Sequence, residues 1–248
     1  MKRLFFCVSL LLFVFICFSN DFISNQKTYP RVRTAYQEKE LILKNRLKEQ
    51  GLSLENLHIL IVAYKAEKEL EIFAKSKQQK KFVKIGTYNI CRTSGNLGPK
   101  NKSGDYQTPE GFYSIDRFNP SSSYYLSLGI NYPNQTDRIR SKALNLGGDI
   151  FIHGKCVTIG CLPMTNEGIN EIYLYAINAK QNGQNNIPVY IFPYRLSKTN
   201  IKIYTEAYKN YPELLSFWDN LKLGYDKFNK EREPLIIKTT MNGTYNFQ

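Results

Sequence analysis

The sequence predicts a mainly β fold with flanking helices, an α+β chain, and three observations predict it. Short apolar runs with strand-like patterning recur from about residue 58 to residue 193, separated by stretches rich in Gly, Asn, Ser and Lys. Helix-period patterns flank them at 35–50, 165–179 and 213–231. Hydrophobic residues make up 42% of the 248, enough for a sizeable core and too many for wholesale disorder. The 15 Gly and 10 Pro exclude a collagen-like chain, and 5 Cys in this length exclude a disulfide miniprotein.

Residues 1–19 read as a secretory signal. Lys2 and Arg3 form a positive start, Leu4 to Phe18 is almost unbroken apolar sequence, and Cys17 and Ser19 occupy the small-residue positions of a cleavage site. A retained anchor and a lipid-modified Cys17 are the alternatives. The apolar run is short for a span, which needs about 20 residues. Residues 20–34 are polar and irregular and read as a linker, and Ala35 to Gln50 as a helix stopped by Gly51. Together they form an N-terminal region over 20–54.

The next region, 55–196, reads as the main domain. His58–Tyr64 and Glu69–Ala74 are predicted strands, and the Lys-rich 75–81 stretch after them reads as a hairpin turn. A third strand follows over 81–90, with Phe82, Ile85 and Tyr88 as core candidates. Residues 93–109 form a long loop of the kind that often carries function. Gly111–Phe118 and Tyr124–Ile130 are further strands, and Asp137–Ala143 a short helix. Asp149–Ile152 is an apolar strand running into His153-Gly154. Thr165 caps the best-patterned helix, whose apolar face is Ile169, Ile172, Tyr173 and Ala176. Pro188–Pro193 is a closing strand, placed at a sheet edge by its prolines. The last region, 197–248, is a C-terminal helical extension in which Leu214, Phe217, Trp218, Leu221, Tyr225 and Phe228 recur at helical spacing, a packing stripe.

The formal charge is +13, and removing residues 1–19 takes away only Lys2 and Arg3, so an exported chain stays strongly basic and attracts polyanions. Its lysines are scattered, which favours a solvated surface. The 18 Tyr and 15 Phe fall on core-like positions rather than in a basic–aromatic array, so nucleic acid is not an expected partner. Contact with a membrane is expected only through an uncleaved signal. Export leaves Cys91, Cys156 and Cys161, an odd number, so in an oxidising compartment one thiol is left unpaired or paired outside the chain.

One segment concentrates the chemistry: Ile152-His153-Gly154-Lys155-Cys156-Val157-Thr158-Ile159-Gly160-Cys161-Leu162-Pro163-Met164. It joins a strand to a helix. A Cys just before a helix N-terminus feels the positive end of the macrodipole, which favours thiolate. Gly160 admits a close substrate carbonyl, and the N–H groups of Gly160 and Cys161 are candidates for an oxyanion hole. His153 is the candidate base for the Cys161 thiol. Two alternatives stand beside this reading: a zinc site on His153, Cys156 and Cys161, which lacks an evident fourth ligand, and a Cys156–Cys161 disulfide. His58 sits inside an apolar strand with no partner chemistry and reads as a strand residue.

The segment resembles the L,D-transpeptidase catalytic domain (YkuD-type), whose signature is HG, a short gap, then [S/T]-x-G-C; His153-Gly154 and Thr158-Ile159-Gly160-Cys161 match it. Residues 94–100, 104–113, 126–134 and 217–226 are similar to the YafK-type branch, so the likeness covers about 55–235. It implies a curved β-sandwich carrying Cys161 and His153 at one groove, with Gly154 and Thr158 beside them as substrate-binding candidates and no metal or organic cofactor. It implies peptidoglycan stem peptides as substrate: Cys161 attacks the carbonyl, a D-residue leaves, His153 moves the proton, and an amine resolves the thioester. Resolution by water would make the protein an amidase that cuts wall cross-links or a wall–lipoprotein link, with a wall-linked lipoprotein as partner. The location implied is the periplasm or cell envelope, with roles in wall biogenesis and cell shape. A non-catalytic wall-binding module is the rival class. Many family members carry Arg two residues after the nucleophile, where this chain has Pro163; Arg138 and Arg140 are the candidates to supply that charge. Cys161 is then expected to be the free thiol and Cys91 and Cys156 to pair.

Overall fold

The structure is a computed structural model in which residues 21–248 are described; the expected signal at 1–19 lies outside the described residues. Strands β1 (Leu57–Tyr64), β2 (Glu69–Ser76), β3 (Val83–Asn89), β4 (Gly111–Ser122), β5 (Tyr125–Ile130), β6 (Phe151–His153), β7 (Leu162–Pro163) and β8 (Pro188–Phe192) make one eight-stranded sheet in the order β3-β2-β1-β8-β4-β5-β6-β7. The β1–β8 and β6–β7 pairs are parallel and the others antiparallel. A short hairpin, β9 (Ile237–Thr239) with β10 (Tyr245–Phe247), stands apart. The α+β expectation holds. The two halves of the sandwich are one continuous sheet, joined by the 12-residue β4: residues 111–114 pair with β8 and residues 115–122 with β5.

Among the described residues six α-helices surround this sheet: α1 (Phe22–Lys27), α2 (Pro30–Lys48), α3 (Gln135–Arg140), α4 (Asn166–Gln181), α5 (Lys198–Ala207) and α6 (Pro212–Glu231). None among the described residues is long and apolar enough to cross a membrane. Residues 20–34, read as a linker, instead contain α1 and the first turn of α2. Asp21 caps α1 through its side chain, and Pro30 at the first position of α2 fixes a helical φ where no N–H is needed. The short helix expected at 137–143 starts earlier, because Asn134 and Asp137 form a reciprocal capping box.

Pro188–Phe192 is not an edge strand. It lies between β1 and β4 and pairs with both. Pro188 is its first residue, where no ladder N–H is lost, and Pro193 follows its end, so the prolines delimit the strand instead of marking an edge. Both central strands are buried on both faces. In β1, Ile59, Ile61 and Ala63 face a core shared with α2 and α4, while Leu60, Val62 and Tyr64 face a second core shared with α6. In β8, Val189 and Ile191 face the first, and Tyr190 and Phe192 the second.

The C-terminal segment covers the second face. Phe217, Trp218, Leu221 and Phe228 of α6 are buried there, each contributing about 1.5–3 kcal/mol by area removed from water. Gly224 permits the close approach: a Cβ on it would come within 2.5 Å of the Phe112 and Phe247 rings.

One polar cluster ties these layers to the 93–109 loop. Lys65 Nζ donates to the carbonyls of Gly98 (2.7 Å) and Thr108 (2.9 Å) and to Glu110 Oε1 (2.8 Å). Glu110 also accepts from the Gly98 N–H (2.7 Å) and, through Oε2, from Trp218 Nε1 (2.8 Å). The Lys65 and Glu110 side chains are 5% and 0% exposed. Every oxygen and proton that matters here is matched, which is what a buried ion pair requires.

Lys65→Met strands the Glu110 carboxylate in the interior and is expected to cost about 3–5 kcal/mol in urea unfolding. Adding Glu110→Gln to it removes the orphaned charge and is expected to restore part of that loss. Equal losses in the single and double variants would show that the two charges are not coupled.

Candidate active site

His153 ends β6, and Cys161 immediately precedes β7, the parallel neighbour of β6. The register sets Ile152 beside Leu162 and His153 beside Pro163. Parallel neighbours ordinarily need a crossover of a dozen or more residues; residues 154–161 make the return as a bare loop, and several bonds hold it. Gly154 N–H donates to Leu126 O (3.1 Å), Lys155 N–H to Asn166 Oδ1 (3.0 Å) and Lys155 Nζ to Ser123 O (2.9 Å). A Cys91–Cys156 disulfide, with Cα atoms 5.3 Å apart, staples the loop to the segment after β3. Cys91 N–H in turn donates to Pro163 O, so that segment also borders β7.

This pairing leaves Cys161 as the free cysteine among the described residues. It also takes Cys156 out of the zinc alternative and excludes a Cys156–Cys161 bond. Cys161 and His153 line one cavity of about 460 Å³, together with Thr158, Asp149, Arg92 and Tyr124.

His153 is buried, with its Nδ1 2.6 Å from the Gly154 carbonyl oxygen. A carbonyl can only accept, so Nδ1 carries the proton and Nε2 is left as the free acceptor of a neutral ring. Burial pushes the His153 pKa below its ordinary value, partly offset by the Gly154 bond. Tyr124 lies against the imidazole with ring centroids 4.8 Å apart.

Burial likewise pushes the Cys161 thiol up, with the Phe151 N–H pulling the other way, Asp149 adding to the rise and Lys100 opposing it. The helix-dipole expectation fails here. Thr165 caps α4 with its own side chain, and β7 intervenes between Cys161 and that cap, whereas the dipole acts within the first turn. Burial thus favours the neutral form of both the Cys161 thiol and the His153 imidazole. The Cys161 Sγ sits 3.7 Å from the Asp149 carbonyl oxygen.

Thr158 shapes the loop. Its Oγ1 accepts from the Gly160 N–H (3.1 Å) and donates to the Cys161 carbonyl (2.9 Å). The Gly160 N–H is thus already used and does not fit the oxyanion role expected of it; the Cys161 N–H is the remaining candidate. Gly160 has φ +141°, and a Cβ on it would lie 3.1 Å from the Gln107 carbonyl oxygen, so glycine is needed for both conformation and space. Thr108, on the same loop as Gln107, places its Oγ1 3.5 Å from the Cys161 carbonyl.

Arg138 and Arg140 do not line the cavity of Cys161 and His153. They lie on α3, where Arg140 stacks on Phe217 at 4.2 Å and lines a different cavity. The positive charge at the Cys161 cavity is Arg92, which the sequence reading missed; its signal was its place directly after a cysteine at the mouth of the long loop. Asp149 was missed as well. It holds φ +54° just before β6, and its carboxylate is bound by Arg117 Nη1 at 2.7 Å.

A free cysteine and a buried histidine thus stand at the ends of adjacent strands on one cavity, within a sheet whose strand β4 changes partners along its length. The family profile of the L,D-transpeptidase catalytic domain (YkuD) matches residues 58–191, and the chain belongs to that family. It is 38% identical over 200 residues to "Putative L,D-transpeptidase YafK" of Escherichia coli strain K12, a match covering 80% of this chain and 77% of that protein. The protein of the same name from Escherichia coli O157:H7 matches equally. Among solved structures, the helical cell shape determining protein Pgp2 from Campylobacter jejuni aligns with TM-score 0.44 and 18% identity over 74% of each chain. Bd1075 of Bdellovibrio bacteriovorus aligns with TM-score 0.39 and 22% identity over 69% of this chain and 62% of that one.

Alkylation of Cys161 by iodoacetamide is expected to speed up with pH, with a midpoint above the ordinary thiol value of about 8.5. The sign follows from burial, which disfavours the thiolate. A midpoint below that value would show a thiolate–imidazolium pair in the resting protein.

Proposed function

We propose that the protein is an exported cysteine acyl-transfer enzyme acting on peptidoglycan stem peptides. The observation that carries this reading is the free thiol of Cys161 in one cavity with the unprotonated Nε2 of His153, while the other two cysteines of the domain are bonded to each other. Family membership supports the class of reaction.

The geometry supports the following sequence. Substrate enters the cavity and Nε2 of His153 takes the Cys161 proton as Sγ forms its bond to the peptide carbonyl carbon. A thiol with a raised pKa and a base with a lowered one keep the resting pair uncharged, so charge separates only when substrate excludes water. The carbonyl oxygen becomes an oxyanion within reach of the Cys161 N–H. The C–N bond then breaks, and His153 returns the proton to the departing amine of the D-residue. That leaves a thioester on Cys161. An incoming amine, deprotonated by His153, gives a cross-link; water gives hydrolysis. Arg92 at the cavity wall offers a guanidinium fork to a substrate carboxylate, the role that Pro163 cannot fill.

Intact-protein and product mass spectrometry of the mature chain with peptidoglycan fragments tests this reading. The expected result is release of a D-residue with an acyl adduct on Cys161, both abolished by Cys161→Ala, and a product that reports whether an amine or water resolves the thioester. Retained wall binding with no turnover in either form would overturn the enzyme reading in favour of a binding module. Thr158→Val removes the acceptor for Gly160 and the donor to the Cys161 carbonyl; kcat is expected to fall about 10-fold or more with the fold intact by circular dichroism. An unchanged kcat would mean that Thr158 does not position the nucleophile loop.

A further inference from the structure

A second cavity, of about 720 Å³, lies between the 97–107 loop, the end of α3 and the start of α6. Arg140 stands on its wall and also on that of a neighbouring cavity of about 540 Å³; the two share Arg140, Pro212 and Glu213, so a groove runs across the guanidinium. Arg140 is half-buried and stacked flat over Phe217. Burial depresses its pKa, opposed by Tyr245, Glu213 and Asp137, and no carboxylate forms an ion pair with it among the described residues. Asp137 is engaged elsewhere, accepting from the Asn134 N–H (2.8 Å) and the Tyr113 hydroxyl (3.0 Å). Lys142 adds a second positive charge to the wall. Leu97, Pro99 and Leu214 supply an apolar side.

A partly desolvated guanidinium held flat by an aromatic ring, with its fork unpaired, is built to receive an oxyanion in bidentate geometry. We propose that the Arg140 groove is a second ligand site, distinct from the Cys161 cavity, that takes the oxyanion end of an extended ligand: the terminal carboxylate of a peptide or the phosphoryl group of a polymer. The loop it borders is shared. Gln107 lines the groove, while the Gln107 carbonyl abuts Gly160 and Thr108 reaches the Cys161 carbonyl. The site therefore adjoins the nucleophile loop without containing the nucleophile, and it does not rest on the acyl-transfer reading.

The test is a titration of the mature chain, in wild-type and Cys161→Ala forms, followed by calorimetry and by the emission of Trp218, whose neighbour Phe217 underlies Arg140. The probes are N-acetyl-D-alanyl-D-alanine, its C-terminal amide and inorganic phosphate. The acid is expected to bind both forms equally, and the amide about 10-fold more weakly. Arg140→Gln is expected to weaken the acid about 10-fold, and Arg140→Lys to fall between, since an ammonium keeps the charge and loses the fork. Lys142→Ala, at an exposed position, is expected to weaken it less, and it serves as a second variant should Arg140→Gln not fold. Phosphate binding tighter than the dipeptide acid supports the site and assigns it to a phosphoryl ligand. Three outcomes overturn the proposal: neither anion binds, Arg140→Gln and Lys142→Ala both bind as the wild type does, or binding disappears in Cys161→Ala. Acyl transfer by Cys161 is scored in the separate product assay, so either reading can fail alone.

Discussion

The buried pair of Lys65 and Glu110 is the constraint on which the rest of the site depends. A lysine and a glutamate removed from water are costly unless each proton and lone pair is matched. Here the matching groups come from different parts of the chain: Gly98 and Thr108 from the long loop, Trp218 from α6, Lys65 from the end of β1 and Glu110 from the start of β4. The pair therefore joins the second core to a loop without regular structure. That loop in turn carries Gln107 and Thr108 against the nucleophile segment. Position at Cys161 is thus set by a polar cluster anchored deep under α6 as well as by the strands next to it.

The sheet explains why two cores are needed. β1 and β8 bury both faces, so helices on one side cannot suffice. α2 and α4 cover one face, and α6 with the β9–β10 hairpin covers the other. β4 changes partners along its length, and this lets the β5–β6–β7 half turn away to carry the cavity. The 154–161 loop then needs no crossover helix, because the Cys91–Cys156 bond and the Thr158 turn hold it.

The electrostatics of the pair run against the simplest expectation from the chain order. A cysteine upstream of a helix suggests an activated thiolate, yet a strand and a capped helix start separate it from the dipole. Burial then dominates both groups, raising the thiol and lowering the imidazole. The Gly154 carbonyl fixes which imidazole nitrogen faces the cavity.

What the sequence by itself determined is what lies within a short span of chain. The HG and T-x-G-C segments, the strand and helix periods and the odd cysteine count were legible because covalent spacing and side-chain alternation impose them. The flanking prolines of β8 pointed to an edge strand, whereas its apolar run belongs to a central strand buried on both faces. Tertiary structure alone decided what is distant in sequence and close in space. The ion pair of Lys65 and Glu110, Arg92 rather than Arg140 at the Cys161 cavity, and α6 as the cover of a second core all depend on which faces of the sheet meet which segments. No local propensity encodes those meetings. They follow from burying both faces of one sheet and from matching the Lys65 and Glu110 charges inside it.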